Sequence, residues 1–290
     1  MPANSDLQQI FRAERPRLIR LAYRNLGSVS DAEDVVQEAF LKLSAASDIH
    51  NPPGWLARVV TTCALDLLRR RKRAREEYVG QWLPEPFADE GGINVAEERL
   101  DMSFAVMRTL EALSPAERAA FLLHDLYDQD FDAIGGVLNR TPATCRKLAS
   151  RARAALRATV PRRPATEADV ARLLAAVTMA SATGDVGPLA ALLSAEAELI
   201  SDGGGKAVAA PNIVRGAQSV AAFLAGVGRK ALATPPRIRF AMLNGGACAL
   251  LLQDGRCATV MGVDLDDRGR PRTIYVQRNP DKLLALSAAP

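Results

Sequence analysis

No run of 18 apolar residues occurs in the 290-residue sequence, which excludes a membrane-spanning helix. The opening stretch, MPANSDLQQIFRAERPRL, lacks the apolar core of a signal peptide, so a cytoplasmic protein is expected rather than a secreted one. The four cysteines, Cys63, Cys145, Cys248 and Cys257, form no CxxC pair, and the only histidines are His50 and His124. A zinc site or a disulfide framework is therefore unsupported, reduced thiols are expected, and no metal or cofactor is expected. Low-complexity Gln-, Ser- or Pro-rich tracts are also absent, while 48% hydrophobic content is enough for real cores. The length predicts two or three domains.

Acid is missing from one long stretch. Ala133–Thr166 holds eight basic residues and no Asp or Glu. A second basic run, Arg69–Arg75, has six basic residues in seven. Net charge is only +4, so the sign is segregated. Two separated basic patches in a nearly neutral chain suggest two contacts with a polyanion.

Between the patches lies Tyr78–Pro86, YVGQWLPEP. Its prolines forbid a regular helix, and Leu83, just before Pro84, is pushed toward extended backbone. It reads as a linker. Yet Tyr78, Val79, Trp82, Leu83 and Phe87 are far more apolar than a solvated tether. Such a segment needs a surface, either its own domain or another part of the chain.

The region before it is helical. Leu18, Leu21 and Ala22 share a face of a helix through Leu26, ended by Gly27. Ser30 before Asp31-Ala-Glu33-Asp34 reads as a capped start with acidic first-turn residues. Val36, Ala39, Phe40 and Leu43 repeat at helical spacing as its buried stripe. Glu33, Asp34, Gln37 and Glu38 fall opposite, where a plain solvated face is the ordinary reading. A third helix, from about Gly54 to Glu77, begins with Trp55 and ends in the basic run, a phosphate-tracking surface. Trp55 is either core or a stacking platform for a single-stranded base.

Past the linker, Val95–Leu113 and Ala116–Leu126 read as helices, the second capped by Ser114-Pro115-Ala-Glu117. Asp130–Leu138 is a short helix, Asn139-Arg140 a turn, and Thr141-Pro142 starts a basic helix to about Arg157. This is either a helix-turn-helix or a simple helical hairpin, and the acid-free charge favours the former. Gly135-Gly136 lie where better helix formers are usual.

After Val160–Pro164 come two apolar-rich helices, Ala168–Ala182 and Val186–Leu193. Strand candidates follow at Ala197–Ser201, Ala207–Ala210, Arg237–Leu243, Ala247–Leu252, Cys257–Val263 and Arg272–Gln277, with a helix at Ala217–Ala231. Asn244-Gly245 and Asp254-Gly255 are tight-turn pairs. Helices laid on a curved antiparallel sheet give an α+β half-barrel. The DGGGK segment, Asp202–Lys206, does not match a P-loop. It reads as a flexible loop bringing Asp202 and Lys206 to a protein surface, where a polar pair holds the linker backbone. With no histidine here and acids mostly at turns, catalysis is disfavoured.

These segments carry a resemblance. DAEDVVQEAFLKL followed by PPGWLARVVTTCALDLLRRRKR resembles region 2 of the sigma-70 transcription initiation factors, in their compact extracytoplasmic-function form. LSPAERAAFLLHDLYDQDFDAIGGVLNRTPATCRKLASRARAAL resembles region 4. WLPEP, DGGGK and the terminal NPDKL resemble the subgroup with a fused C-terminal SnoaL-like domain. The resemblance implies three domains, at 1–78, 102–163 and 164–290, joined by a linker at 79–101. It implies two all-α DNA-binding domains plus an α+β SnoaL-like half-barrel. Asp31, Glu33, Asp34, Gln37 and Glu38 would meet the clamp helices of the largest subunit of core RNA polymerase. Asn51, Trp55, Arg58, Arg69, Arg70, Arg71, Lys72 and Arg73 would hold the −10 element of promoter DNA. Thr144, Arg146, Lys147, Ser150 and Arg151 would read the −35 element. Trp82, Leu83, Pro84, Asp202, Lys206, Asn279, Asp281 and Lys282 would form an interdomain regulatory contact. The implied function is a non-enzymatic sigma factor regulated in cis. The rival reading is an autonomous helix-turn-helix regulator whose C-terminal domain senses a small ligand.

Overall fold

The computed structural model describes residues 4–46, 49–76, 78–88, 102–159 and 163–287, with side chains at 4–7, 72–76 and 287 outside the described set. Two compact units divide them: 4–76, 102 and 106–159 in the first, and 78–88, 103–105 and 163–287 in the second.

The first unit is helical throughout. Helix α1 (Asn4–Leu26) ends at Gly27, whose φ of 70° is left-handed. Helix α2 spans Val29–Ala45 and buries Ala32, Val35, Val36, Ala39 and Leu43. Its cap is Ser28, not Ser30: Ser28 is extended and its hydroxyl accepts from the Asp31 N–H, while Ser30 already lies inside the helix. Helix α3 (Pro52–Glu76) follows, capped by Asn51, whose side-chain oxygen accepts from the Gly54 N–H at 3.0 Å. Helix α4 runs over Phe104–Ala112, with Phe104 and Ala105 counted in the second unit; the expected start near Val95 lies outside the described residues.

Helix α5 (Pro115–Tyr127) opens on a complete capping box between Ser114 and Glu117. Helix α6 (Phe131–Leu138) is capped by Asp130, and α7 (Pro142–Arg157) by Thr141. Asn139 makes the turn between α6 and α7 at φ 51°, a left-handed conformation that asparagine tolerates. Gly135 has a packing reason: a Cβ there would sit 2.7 Å from the Arg140 carbonyl oxygen. The turn closes against this glycine, and Arg140 N–H donates to the Gly135 carbonyl at 3.1 Å. Gly136 faces open space.

The second unit lays helices α8 (Glu167–Thr183), α9 (Gly187–Leu192) and α10 (Ala217–Ala231) with a six-stranded sheet. The strands are β1 (Glu198–Asp202), β2 (Val214–Arg215), β3 (Arg237–Leu243), β4 (Gly246–Gln253), β5 (Arg256–Leu265) and β6 (Pro271–Gln277), in the order β2-β1-β6-β5-β4-β3. Both tight turns form, with positive φ at Asn244, Gly245, Asp254 and Gly255. The sheet is mixed rather than wholly antiparallel, because β1 pairs parallel with β6. Ala207–Ala210 is not a strand. A turn in which both Lys206 and Ala207 donate to the Gly203 carbonyl takes the chain out of the ladder, and Val208 is exposed.

Alternation along the strands makes two apolar faces. One packs Leu199, Ala249, Met261, Val263, Ile274 and Val276 with α8, α9 and α10. The other gathers Ile200, Leu243, Cys248, Leu250, Val260 and Tyr275. Leu83 and Phe104, from outside the sheet, fill this second face, and the Phe104 ring stacks on Tyr275 at 5.3 Å. The chain ends in a 3-10 turn at Pro280–Lys282 and a short α11 (Leu284–Ser287).

Candidate nucleic-acid interface and linker junction

On α2 the expected polymerase-facing residues separate into two groups. Glu33, Asp34, Gln37 and Glu38 are exposed. Glu33 pairs with Arg15 at 3.1 Å and Glu38 with Lys42 at 2.8 Å. The Lys42 hydrogen bond holds the Glu38 carboxyl below the usual carboxylate range. Asp31 points elsewhere: its side chain is only 14% exposed and forms an ion pair with Arg71 of α3. The pair ties an expected polymerase residue to an expected DNA residue.

Helix α3 shows the same division. Arg69 and Arg70 are exposed and hold to Asp66 through its carboxylate and carbonyl. Trp55 is half-buried. Arg58 donates to the Gln129 side chain at 2.7 Å, a residue between α5 and α6. The side chains of Lys72 and Arg73 lie outside the described set. Nearby, Arg17 of α1 donates to the Leu126 carbonyl at 2.8 Å and stacks over the Tyr127 ring at 4.2 Å. The buried Arg118 guanidinium donates to the Asn25 carbonyl and to Glu111. The two helical modules thus share one packed unit.

On α7 the exposed residues are Arg146, Lys147, Ser150 and Arg151. Arg146 lies 5.4 Å over the Phe131 ring, and Arg151 is 73% exposed beside Glu117. Thr144 is partly committed, with its hydroxyl 2.9 Å from that of Thr141 in the cap. Arg153, in the same acid-free stretch, is structural: it clamps Asp125 with two bonds of 2.5 and 2.7 Å. Positive charge in sequence does not by itself separate an exposed arginine from one clamped by a carboxylate.

The linker is gripped by the second unit. Asp202, at the end of β1, is fully buried, which corrects its expected place at a surface. Its carboxylate accepts from the Tyr78 hydroxyl at 2.6 Å, the Leu83 N–H at 2.9 Å, the Gly204 N–H at 2.9 Å, the Gln277 amide at 3.2 Å and the Lys282 ammonium at 2.8 Å. A buried carboxylate survives only when paired and hydrogen-bonded in this way. The lysine that pairs it is Lys282, not Lys206. Lys206 is exposed and meets Asp281 at 2.5 Å.

Lys282 also donates to the Leu83 carbonyl at 2.6 Å, and its ammonium sits 4.6 Å over the Trp82 ring and 5.0 Å over Tyr78. Leu83 therefore has its N–H taken by Asp202 and its C=O by Lys282, with its side chain fully buried. Gln277 donates to the Pro84 carbonyl at 3.2 Å. Asn279 donates to the Tyr78 hydroxyl at 3.0 Å and its side chain caps the Asp281 N–H. Burial, and then the Asp202 bond, push the Tyr78 phenol above its usual range. The glycine loop is shaped to this junction rather than flexible: Gly204 has φ 58°, and a Cβ on it would fall 2.2 Å from the Asn279 amide nitrogen.

Tyr78, Gln277 and the Phe87–Asn244 pair were not singled out from sequence as contacts of this junction. Phe87 and Asn244 exchange two bonds, Phe87 N–H to the Asn244 side chain and Asn244 N–H to the Phe87 carbonyl. Asn244 was legible only as a turn residue. No metal-binding cluster of His, Cys, Asp or Glu occurs among the described residues, and none of their helices is long and apolar enough to cross a membrane.

Residues 10–74 match the Sigma-70 region 2 model, and residues 103–156 match Sigma-70, region 4. The chain is 40% identical over 229 residues to the ECF RNA polymerase sigma factor SigJ of Mycobacterium tuberculosis, covering 75% of this chain and 72% of that protein. It is 34% identical over 160 residues to the probable ECF RNA polymerase sigma factor SigI of the same species, where it spans only 55% of the relative. The crystal structure of Mycobacterium tuberculosis SigJ superposes with a TM-score of 0.70 at 32% identity, over 95% of this chain and 98% of that one. Region 2 has no place in an autonomous helix-turn-helix regulator, which removes the rival reading. The chain belongs to the extracytoplasmic-function sigma factors of the sigma-70 family, a promoter-recognising class of RNA polymerase subunits.

Proposed function

We propose that this sigma factor is a cytoplasmic, non-enzymatic subunit restrained in cis by its C-terminal unit. The observation that carries the restraint is the buried Asp202 carboxylate, which takes the Leu83 N–H while Lys282 takes the Leu83 carbonyl. Residues 78–88 lie in the chain between the two DNA modules, and residue 104 at the far side of that connection is held on the same sheet face. The described parts of the connection between the modules, 78–88 and Phe104, are thus both held by the second unit. Polymerase or a signal must compete with this junction before both promoter elements are reached together.

In this reading Glu33, Asp34, Gln37 and Glu38 dock on the clamp helices, and Asp31 acts through Arg71. Trp55, Arg69 and Arg70 handle the −10 element, and Arg58 must exchange Gln129 for DNA. Arg146, Lys147, Ser150 and Arg151 serve the −35 element. The packing of Leu83 and Phe104 on this sheet face supports a regulatory role of the C-terminal unit.

Transcription in vitro with core polymerase on a promoter library tests the reading. The full chain, a chain ending before Asn279, and Asp202→Asn are compared. Both altered proteins should transcribe more than the parent, because each opens the junction. Equal transcription by all three, with the junction shown open by hydrogen exchange at Leu83, would refute restraint in cis.

A further inference from the structure

The sheet has two edges of unlike character. At one edge β2 is two residues long. At the other, β3 runs seven residues, RIRFAML, and pairs only with β4 among the described residues. The Asn244-Gly245 turn makes Leu243 and Gly246 the hydrogen-bonded closing pair, so Leu243, Ala241, Arg239 and Arg237 bond inward to β4. Backbone groups of Ile238, Phe240 and Met242 consequently point out from the sheet. No backbone partner for these three is present among the described residues.

The open window has defined ends. Asn244 is the next outward position, and its N–H is taken by the Phe87 carbonyl at 2.8 Å. At the other end Pro236 has no N–H to give. The centre of the window is Phe240. Ile238 is 45% exposed and Met242 63%, although both lie on a strand within a well-packed sheet. A long edge strand with exposed apolar side chains invites pairing with another strand.

We propose that β3 pairs antiparallel with β3 of a second copy of this chain, about a two-fold axis at Phe240. The register is self-complementary, as an isologous contact requires. Phe240 meets Phe240 of the second copy, and Ile238 meets its Met242 in both directions, so the outward backbone groups of all three are satisfied. On the other sheet face Arg237 falls opposite Leu243 and Arg239 opposite Ala241. No arginine faces an arginine directly, and Arg239 is drawn aside toward the Leu286 carbonyl at 3.4 Å. A one-residue slip would pair inward-bonded positions and is forbidden by the β4 ladder. One strand pair is a small interface, so the dimer is weak and concentration-dependent.

Sedimentation velocity of the full chain across a broad concentration range is the test. The parent should pass from monomer to dimer. I238K/M242K places lysine opposite lysine at both outer pairs and should weaken dimerisation by roughly tenfold or more. Mixing it with I238E/M242E should restore a dimer of mixed composition. Circular dichroism checks folding; if the charged pairs misfold, I238S/M242S should still shift the equilibrium toward monomer. A parent that stays monomeric throughout, or a folded lysine or serine variant that dimerises like the parent, overturns the proposal.

Discussion

Lys282 and Asp202, 80 residues apart, meet at 2.8 Å with the carboxylate fully buried and the lysine side chain only 15% exposed. Their pairing places a positive charge over Tyr78 and Trp82 and an acceptor under Leu83, so one ion pair anchors the segment from Tyr78 to Leu83.

Lys282→Met should therefore destabilise the second unit more than its loss of surface contacts suggests. Removing one partner of a buried pair leaves the other charge uncompensated, at a cost of about 3–5 kcal/mol. Chemical denaturation would show this, and exchange of the Leu83 N–H would accelerate with it. A cost below about 1 kcal/mol would mean water already reaches Asp202.

Gly135 and Gly136 should respond oppositely to alanine. Gly136→Ala fills open space in an exposed helix position and should stabilise by about 0.4–1 kcal/mol. Gly135→Ala puts a methyl 2.7 Å from the Arg140 carbonyl and should destabilise and open the turn before α7. Thermal melts of the two variants decide the matter, and a shared sign would contradict the turn geometry.

The Tyr78 phenol is raised above its ordinary value by burial and by Asp202. The folded state thus keeps a proton that the unfolded chain releases. Its contribution is fully present below the ordinary phenol pKa and is lost as pH rises through the folded value. The stability advantage of the parent over Tyr78→Phe should then shrink in strong alkali and be constant near neutrality. Paired denaturation curves at several pH values measure it; a gap that widens in alkali would mean the phenol is not protonated in the folded protein.

Charge reversal at Glu33, Asp34 and Glu38 should weaken binding to core polymerase with little effect on stability, since all three are exposed. Asp31 is left out of this set because its reversal would break the Arg71 pair and confuse the two effects. Pull-down or fluorescence binding with purified core enzyme gives the answer, and unchanged affinity would remove this face from docking.

Arg146→Ala with Lys147→Ala should impair recruitment at the upstream element, each lost base contact costing about 1–3 kcal/mol. Trp55→Ala should leave closed complexes intact and reduce permanganate-reactive thymines. Asn51→Ala adds a capping loss of about 1 kcal/mol, so Asn51→Ser, which retains a cap, separates the DNA role from the structural one. Failure of both modules at the same step would contradict the division of labour.

Local features were legible in sequence because local interactions decide them. The capping box at Ser114, the cap at Thr141, the Asn139 turn and both tight hairpins depend on side chains and backbone within a few residues. Helical and alternating periodicities located nearly every element, and the region 2 and region 4 patterns carried the family. The strand expected at Ala207–Ala210 failed because four apolar residues do not report the turn at Gly203 that removes them from the ladder.

Which charges are free was decided by the tertiary structure alone. Arg153 and Arg151 look alike in an acid-free run, yet one clamps Asp125 with two short bonds and the other, 73% exposed, meets Glu117 only at 3.8 Å. Lys206 stands four residues from Asp202 and was its natural partner in sequence, but the turn through Gly204 carries it out to solvent and brings Lys282 in. Asp202 itself reads as a loop residue. Only folding, by closing β1 against β6 and laying Tyr78 and Leu83 over their ends, buries it among five donors and makes it the hold on the linker.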